Sequence, residues 1–526
     1  MQQSGKSGKT KIITYIVIII VVVAIVGVGA YFGYKDLTHK KSTAKTYTIT
    51  VAAPVYSSSA KNWEDWINNA TSAWQAAHPN VKIKFVGPFG ASSEGDYYTK
   101  LDLMTSSPST APDVMLEDMF YTSTYASENV LAPLNNYVNS SVTSNIFNAA
   151  LGQMTINGNI YGLPAQVTDT LIYYNITLFH EAGISTPWQP SNWTDIIHTA
   201  QILKDKLGSK ISGFIPLNIY EGTRADEASS FTGFETLLYG TGYGLYNFSD
   251  HKWYGYNPGL NATLTFYYNA FVKYGLANPA LSSTPYVTAG QYMQEGKLGI
   301  DIDGSWMYGY QWAPGAQHPI NNFSKYIGVA KVPTEFGQKP YYTTMTGGWG
   351  WAMYSGVSNK PLVTSFISAL ANTTNQISIN LPGNPLAGGL PTTKNAVNNP
   401  EFKELMPTDP SLDIFFANLL QYGHYRPPVS SYPKVSSALQ AAMSAVVTGG
   451  KSVSAAMSGY YSQLVSLLGS SNVMTTGNSP SIAFMPLNNA INHSSYTELT
   501  LNINLLLQNI LYFDGTPFKA IETLFM

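Results

Sequence analysis

The strongest constraint on the fold is a regular alternation of strand-like and helix-like segments after residue 45. Thr46–Ala52 and Val81–Val86 alternate polar and apolar residues, as half-buried strands do. Between them, Trp63–Ala77 places its apolar residues along one helical side. A helical stretch around Tyr97–Thr105 then leads to the short apolar strand Pro112–Leu116. Strand, helix, strand, helix, strand predicts a parallel α/β layer.

The alternation returns later in the chain. Further strands are predicted at 170–174, 297–302, 326–329 and 350–354, and further helices at 193–207, 361–370, 436–447 and 455–468. No short-period repeat is present, and 526 residues are enough for two or three domains. We therefore predict two α/β lobes of about 200 residues each. Leu501–Tyr512 is apolar but too short to span a bilayer, and it fits a core strand, an interfacial helix or a docking element.

The composition excludes several classes of function. Charged residues make up 11% of the chain, against roughly 25% in an ordinary soluble domain, and the net charge is −2. Nucleic-acid binding needs clustered Lys and Arg, and none is found. Cysteine is absent, which removes disulfides, thiolate metal sites and a catalytic thiol. The 8 His residues are scattered, so we expect no metal and no cofactor.

The polar residues are mainly hydroxyls and amides, with few carboxylates. Such a surface suits an acidic exterior, because fewer ion pairs are lost when Asp and Glu become protonated. We therefore hypothesise that the protein works in an acidic medium.

The amino terminus carries a candidate membrane segment. Ile12–Tyr34 has no charged residue and is dominated by Val and Ile; at about 1.5 Å per residue it spans a hydrocarbon core of roughly 30 Å. Secretory signal cores are typically about 7–15 residues, so a retained anchor is favoured. Residues 1–11 are then a short cytoplasmic terminus and 35–45 a linker. Lysines on the two sides are nearly balanced, so the orientation rests on the large body lying outside.

An extracellular body could also be glycosylated. The sequence contains nine Asn-x-Ser/Thr sequons, at Asn69, Asn139, Asn175, Asn192, Asn247, Asn261, Asn322, Asn372 and Asn492.

A series of short motifs follows in a fixed order along the chain. They are Trp74–Lys84, Pro112–Val114, Tyr161–Pro164 with Ile172–Asn175, Gly296–Trp306, Gly347–Gly350, Leu390–Thr392, and Arg426–Pro427 with Thr448–Lys451. This order resembles the extracellular solute-binding proteins of ABC sugar importers, the family of the maltodextrin-binding proteins, in an archaeal membrane-anchored form. The resemblance covers about residues 46–468, and residues 469–526 form an extension of unknown role.

The resemblance implies a two-lobed α/β fold of the periplasmic-binding-protein type II, preceded by one transmembrane helix. Lobe 1 would comprise residues 46–166 and about 340–385, and lobe 2 about 167–339 and 386–468. The chain would be a non-enzymatic receptor outside the cell. It would capture a sugar in the cleft between the lobes, most simply an oligosaccharide although monosaccharide receptors share the framework, and deliver it to the ABC permease.

Sugars offer apolar faces, which stack on aromatic rings, and hydroxyls, which need donors and acceptors. From the resemblance, the expected acceptors after the third strand are Glu117 and Asp118, and the crossing segment contributes Gln166, Thr168 and Asp169. The expected stacking rings and remaining ligand contacts are Trp63, Trp306, Trp349, Arg426 and Tyr432. The glycines beside Trp349 would let backbone approach a ligand.

Two other classes of function remain open. A glycosidase needs two carboxylates about 5–10 Å apart, and Asp301 with Asp303 or Glu117 with Asp118 could supply such a pair. No catalytic motif frames either pair. A pilin-like structural protein of the cell surface could share the apolar amino terminus and the Ser/Thr-rich body.

Overall fold

The computed structural model describes residues 46–55, 58–91, 94–284, 286–379, 384–405 and 419–475. The strands are β1 Tyr47–Ala52, β2 Val81–Gly87, β3 Val114–Asp118, β4 Thr155–Ile156, β5 Asn159–Ile160, β6 Gly162–Asn175, β7 Ile215–Ile219, β8 Tyr246–Asn247, β9 Lys252–Tyr256, β10 Leu298–Gly304, β11 Ile327–Ala330, β12 Val332–Pro333, β13 Tyr342–Met353, β14 Gly423–His424 and β15 Val473–Thr475.

The α-helices are distributed along the whole described chain. They are α1 Ala60–Ala70, α2 Ser72–Ala77, α3 Glu94–Thr105, α4 Thr122–Ser127, α5 Ser140–Asn145, α6 Asn148–Gln153, α7 Ile176–Glu181, α8 Trp193–Leu207, α9 Asp226–Ala228, α10 Thr236–Gly240, α11 Pro258–Tyr267, α12 Pro279–Ser282, α13 Tyr286–Gln294, α14 Phe323–Tyr326, α15 Lys360–Leu370, α16 Thr373–Ile377, α17 Lys394–Val397, α18 Pro400–Leu405, α19 Tyr432–Val447 and α20 Val453–Leu468. Three π-helical turns, π1 Ser229–Glu235, π2 Tyr268–Lys273 and π3 Tyr308–Trp312, interrupt or follow them.

The main sheet has ten strands and mixed direction. Its central path is β2-β1-β3-β13-β6-β10-β7, with β11 paired to β6, and β12 and β14 paired to β13. β1 is parallel to β3 and β10 is parallel to β7, which confirms the predicted α/β layering. The strands that join these parallel pairs, β13 and β6, run antiparallel to their main neighbours.

Strand β6 changes partners halfway along its length. From Gly162 to Asp169 it pairs with β13, and from Thr170 to Asn175 it pairs with β10 and β11. At the changeover, the hydroxyl of Thr344 accepts from the Thr170 N–H at 2.8 Å and donates to the Thr170 carbonyl at 2.7 Å. A side chain thus satisfies the backbone N–H and carbonyl of Thr170, so the strand can cross from one set of neighbours to the other without leaving these backbone groups unpaired.

Local sequence explains where the helices begin and end. The side chain of Asn192 caps α8 by accepting from the Asp195 N–H at 3.0 Å, and the last turn carries Lys204. The buried residues of α8 recur every three or four positions: Trp193, Ile196, Thr199, Ala200, Leu203 and Leu207. The predicted helix at 193–207 is therefore confirmed. The single helix predicted at 63–77 is instead interrupted at Thr71, whose hydroxyl donates to the Ile67 carbonyl at 2.7 Å.

The chain divides into two compact units by its internal contacts. Among described residues, the smaller unit contains 46–48 and 75–82, in which the Tyr47 N–H donates to the Asn80 carbonyl at 3.0 Å. The larger unit contains 49–74 and the described residues from Ile83 onward. Its main apolar cluster joins β6, β7 and β10 to helices α8, α11, α19 and α20, and a smaller cluster joins β3 and β13 to α3.

Two predictions fall outside the described residues, namely the apolar segments Ile12–Tyr34 and Leu501–Tyr512. Within the part of the chain that is described, no helix combines the length and the apolar character needed to cross a membrane.

Candidate functional site

The larger unit contains a cavity of about 170 Å³. Six aromatic side chains line it: Trp63, Tyr220, Phe231, Trp306, Tyr310 and Trp349. The polar lining consists of Asp118, Gln166, Thr168, Arg224, Asp226, Glu227, Thr232, Thr284 and Arg426. Strands β3, β6 and β13, helix α1, and turns π1 and π3 all contribute to this wall, so the site is assembled from segments far apart in sequence.

Contacts with neighbouring residues fix the orientation of two of the three tryptophans in the lining, Trp63 and Trp349. The Nε1 of Trp63 donates to the Pro54 carbonyl at 3.0 Å, and its ring meets Trp351 edge-on with 6.1 Å between centroids. Trp349 stacks on Tyr98, with 6.4 Å between centroids and 9° between ring planes. Because both rings are held by neighbours, Trp63 and Trp349 are preorganised for apolar contact with a ligand.

The geometry of β13 brings Trp349 to the cavity. The register between β13 and β6 shifts between Trp349 and Gly350, opposite Gln166 and Pro164, and such bulges re-aim side chains. Gly348 has φ +150°, and a Cβ there would meet the Gln166 carbonyl oxygen at 2.1 Å. The glycine therefore allows the backbones of β13 and β6 to approach each other, which is a packing role in addition to the ligand approach expected from the sequence.

Arg426 braces the cavity wall. Both of its terminal nitrogens donate to the carboxylate of Asp118, and Nη1 also donates to Oε1 of Glu227 at 3.3 Å. The guanidinium lies between Phe120 and Phe231, 4.5 and 4.4 Å from their ring centroids. Arg426 therefore joins β3 to the segment that precedes π1, and its charge is already balanced by buried carboxylates.

Two polar side chains in the lining have atoms that no described residue satisfies. The Oε1 of Gln166 and the Oγ1 of Thr232 are buried and have no hydrogen-bond partner among the described residues. Buried polar atoms are normally paired, so these two are available to a ligand or to water. They lie on β6 and π1, which gives the cavity hydrogen-bonding capacity on two different elements.

Seven of the ten side chains predicted to bind ligand line the cavity, namely Trp63, Asp118, Gln166, Thr168, Trp306, Trp349 and Arg426. Their role in ligand binding stays a prediction.

Glu117, Asp169 and Tyr432 do not line the cavity. The sequence places the two acids at Glu117 and Asp118 after the third strand, but β3 continues through Asp118. Side chains alternate sides along a strand, so Asp118 faces the cavity and Glu117 faces the interior, where its Oε1 accepts from Thr122 at 2.9 Å. The same alternation turns Asp169 away from the side used by Thr168.

Tyr432 lies at the first turn of α19, fully buried, and its hydroxyl contacts the carboxyl groups of Glu227 and Glu235. It therefore belongs to the layer behind the cavity wall.

Sequence reasoning missed the segment from Tyr220 to Thr232. This segment supplies the cavity with Tyr220, Arg224, Ala225, Asp226, Glu227, Ala228, Phe231 and Thr232. A signal was present, since Glu221–Glu235 holds four acids and one arginine in a chain with only 11% charged residues. Asp226 also adopts φ +47°, an uncommon conformation for a non-glycine residue and one often found at functional sites.

Burial raises the pKa of several acids near the site. The pKa of Glu117 rises to about 8, through burial and the nearby charge of Asp118, against the hydrogen bond from Thr122. Glu235 also rises to about 8, through burial and then the charge of Glu227. Away from the cavity wall, burial raises the pKa of Asp301 to about 7. Glu117 and Glu235 therefore favour the protonated form at neutral pH, whereas Asp301 titrates near it.

The sequons differ in accessibility. Asn175 is only 6% exposed and its side chain caps α7 by accepting from the Leu178 N–H at 3.1 Å, so this position does not offer a glycan acceptor in the folded chain. Exposed or half-buried sequon asparagines are Asn69, Asn139, Asn192, Asn247, Asn261, Asn322 and Asn372. Asn492 lies outside the described residues.

No group of three His, Cys, Asp or Glu side chains among the described residues is arranged to hold a metal ion. Of the three acids in the cavity wall, Asp118 and Glu227 balance the charge of Arg426, and Asp226 accepts from the Gly95 N–H at 3.4 Å. Aromatic walls with a few directional polar atoms bind a small polar molecule with apolar faces. The cavity has such walls, and strand β6, which pairs first with β13 and then with β10 and β11, contributes to its lining. These features are those of a solute-binding protein.

Comparison with known proteins gives the family. The family model for bacterial extracellular solute-binding proteins matches residues 56–377. A binding protein of Brucella abortus is 22% identical over 238 residues, 45% of this chain and 54% of that protein. A galactooligosaccharide-binding protein of Bacillus subtilis is 27% identical over 327 residues, 54% of this chain and 69% of that protein. The first match thus spans about half the length of the relative.

Solved structures share the fold. Maltose-bound MalE3 of T. maritima superposes with a TM-score of 0.65 at 19% identity, covering 80% of this chain and 100% of that one. A substrate-binding protein of Listeria monocytogenes in complex with cycloalternan also gives 0.65 at 19% identity, covering 81% and 99%. The chain has the mixed α/β, two-lobed periplasmic-binding-protein fold.

The chain belongs to the bacterial extracellular solute-binding protein family. Its matched relatives are binding proteins, and the family description indicates a location outside the cytoplasm, extracellular or periplasmic.

Proposed function

We propose that this protein is the sugar receptor of an ABC importer, binding a short oligosaccharide without changing it. The observation that supports the proposal is the cavity itself, where ordered tryptophan rings surround buried polar atoms of Gln166 and Thr232. The C–H faces of a pyranose would stack on the rings, and its hydroxyls would pair with the amide and hydroxyl groups.

The size of the cavity favours a short saccharide. Pockets that enclose drug-sized ligands have volumes of about 300–1,000 Å³, whereas this cavity measures about 170 Å³. One or two sugar rings would be enclosed, with any further unit extending through the mouth. The similarity to a galactooligosaccharide-binding protein of B. subtilis supports an oligosaccharide.

Two lobes that close on the ligand would transmit binding to the permease. We propose residues 46–166 and about 340–385 as lobe 1, and about 167–339 and 386–468 as lobe 2. Trp63, Asp118, Gln166 and Trp349 then come from the first lobe and Trp306 from the second. Ligand contacts to both lobes would stabilise the closed form by the difference in affinity between the two forms.

The anchor is part of the same proposal. Ile12–Tyr34 would hold the receptor at the membrane, with the large body outside, next to its permease. Membrane fractionation of the full chain and of a chain that begins at Lys35 tests this. The full chain should sediment with membranes and the shorter one should not.

Catalysis is the alternative, and the contacts of the acids argue against it. Three acids line the cavity, namely Asp118, Asp226 and Glu227. Asp118 and Glu227 are ion-paired to Arg426, which leaves Asp226, whereas a glycosidase requires two carboxyl groups that can take part in proton transfer or attack.

Calorimetric titration with a panel of sugars tests the receptor proposal. The panel comprises maltose, maltotriose, galactotriose, tagatose and ribitol, and each mixture is afterwards analysed for products. We expect binding of at least one saccharide without turnover. Trp349→Ala should lower its affinity at least about tenfold, equal to about 1.4 kcal/mol, because one stacking face is lost.

The matched control is Phe336→Ala, an aromatic residue that is 77% exposed and does not line the cavity. It should bind like the parent protein. Turnover of any sugar in the panel would favour the glycosidase, and failure of all of them to bind would reject the sugar receptor.

A further inference from the structure

A buried hydroxyl behind the cavity wall lies between two carboxyl groups. The Tyr432 oxygen is 2.7 Å from Oε1 of Glu227 and also contacts Oε1 of Glu235. All three side chains are buried. A phenol carries one proton, so it can donate to only one carboxyl oxygen. The second contact therefore requires a proton on one of the two glutamates.

The other partners identify which glutamate is ionised. Apart from Tyr432, Glu227 accepts from Arg426 at 3.3 Å and from Ser436 at 2.6 Å. The hydroxyl of Ser230 contacts that of Ser436, and because each hydroxyl has one proton, Ser436 donates to Glu227 and Ser230 donates to Ser436. Two donors, one of them a cation, are the surroundings of a carboxylate. The Tyr432 proton therefore points to Glu227.

Glu235 has the opposite surroundings. Its Oε2 has no hydrogen-bond partner among the described residues, and its side chain is fully buried. An isolated buried carboxylate is strongly unfavourable, whereas a carboxylic acid can donate its proton to the Tyr432 oxygen. The resulting chain of hydrogen bonds runs from Glu235 through Tyr432 to Glu227, and then to Arg426 at the cavity.

The electrostatics agree with this assignment. Burial, followed by the charge of Glu227, raises the pKa of Glu235 to about 8, against the hydrogen bond with Tyr432 and the charge of Arg426. Burial also raises the pKa of Glu227, and Arg426, Ser436 and Tyr432 oppose that rise.

Glu235 interacts with titratable or charged groups on several elements. They are Glu227 and Tyr239 on its own stretch, Tyr432 on α19, Tyr460 on α20, and Arg426, with Asp118 beyond Arg426. His424 and Tyr425 lie beside Tyr239, and β10, which packs on π1, carries Asp301 and Asp303. Arg426 is the one cation among these groups at neutral pH, because burial lowers the pKa of His424 to about 4.

We propose that Glu235 is a positioning residue of the ligand site that holds a proton at neutral pH. Its proton orders the Tyr432 hydroxyl toward Glu227, and Glu227 in turn fixes Arg426 at the cavity wall. Loss of the proton places a second negative charge beside Tyr432 and loosens the support of Arg426. Ligand affinity is therefore greatest below about pH 8 and falls above it. This inference rests on the proposed receptor function.

The first test measures maltotriose affinity by calorimetry from pH 6 to pH 9 for the parent protein and for Glu235→Gln. Ionisation of Glu235 removes one proton that binding requires, so with a pKa of about 8 the parent affinity should fall by up to about tenfold between pH 7 and pH 9. Glu235→Gln cannot ionise and should lack this alkaline fall. The matched control, Asp301→Asn, replaces another buried acid with a raised pKa that accepts from Asn218 and is outside the hydrogen-bond chain, so it should keep the fall.

The second test does not depend on a ligand. The infrared difference between the parent protein and Glu235→Gln should contain a protonated carboxyl band at pH 7 that disappears toward pH 9. Circular dichroism at both pH values checks that each variant is folded.

The two tests separate the inference from the receptor proposal. If no sugar binds but the carboxyl band titrates as described, the sugar-receptor proposal is rejected and the protonation of Glu235 is supported. A missing band at pH 7 overturns the inference, as does an alkaline fall in affinity that persists in Glu235→Gln.

Discussion

Glu117 offers a sharp test of how burial sets the response of this fold to pH. Its side chain is fully buried, Oε1 accepts from Thr122, and Oε2 has no partner among the described residues. Burial raises its pKa from 4.5 to about 8. The perturbation is Glu117→Gln, which keeps the shape and the acceptor but cannot ionise.

The magnitude follows from proton linkage. Below pH 4.5, Glu117 is protonated in both the folded and the unfolded chain, so its ionisation does not change the free energy of unfolding. Between pH 4.5 and about 8 only the folded chain holds it, so folding takes up a proton and stability falls by about 1.4 kcal/mol per pH unit. At pH 7 the accumulated loss is about 3 kcal/mol. Glu117→Gln should therefore be more stable than the parent protein by up to about 3 kcal/mol at pH 7 and similar to it at pH 4.

Urea unfolding at pH 4, 5, 6, 7 and 8 measures this difference for both proteins. The surface variant Glu64→Gln, at an exposed position of α1, is the control and should follow the parent protein. Parallel stability curves for Glu117→Gln and the parent protein from pH 4 to pH 8 would refute the reasoning. The same buried acids extend the hypothesis of an acidic medium, because the fold should lose stability as the pH rises from about 5 to 8.

Three further substitutions test individual parts of the site. Arg426→Met should destabilise the fold by about 3–5 kcal/mol in urea unfolding, because Asp118 and Glu227 lose their buried counter-charge; a loss below 1 kcal/mol would contradict the bracing role. Thr232→Val should raise the melting temperature of the ligand-free protein, since it removes a buried unpaired hydroxyl, and it should also weaken sugar binding in the same thermal-shift series; unchanged binding would remove Thr232 from the site. Gly348→Ala should lower the free energy of unfolding by roughly 4 kcal/mol or more, because the new Cβ would clash with the Gln166 carbonyl oxygen on β6. A free energy of unfolding close to that of the parent protein would show that β13 can move to accommodate the methyl group.

The family resemblance was visible in the sequence because it rests on local patterns. The alternation around β1, β2 and β3 and the periodicity of α8 are short-range features, and each element kept its type in the structure. The tryptophans of the site could be selected for a similar reason, since Trp306 and Trp349 both belong to short glycine-containing motifs.

The side of the sheet to which a given side chain points could not be predicted from the sequence. It depends on where each strand begins and ends, and local patterns define these boundaries poorly. β3 runs two residues further than predicted, so Glu117 and Asp118 point to opposite sides. Asp169 is expected at the cavity from the family resemblance, but it follows Thr168 on the same strand and does not line the cavity. If the predicted end of a strand is wrong by one or two residues, a side chain expected to contact ligand can instead be a buried acid with a raised pKa, as Glu117 is.

By itself the sequence determined the α/β class, the order of the elements and the three tryptophans of the aromatic wall, because these depend on residue type and short spacing. Only the tertiary structure brought Asp118, Glu227 and Arg426 together from positions as much as 308 residues apart. Only the fold, likewise, placed Glu235 and Tyr432 in contact behind them. Burial and contact with distant charges decide which of these groups carry protons, and neither quantity exists until the chain has folded.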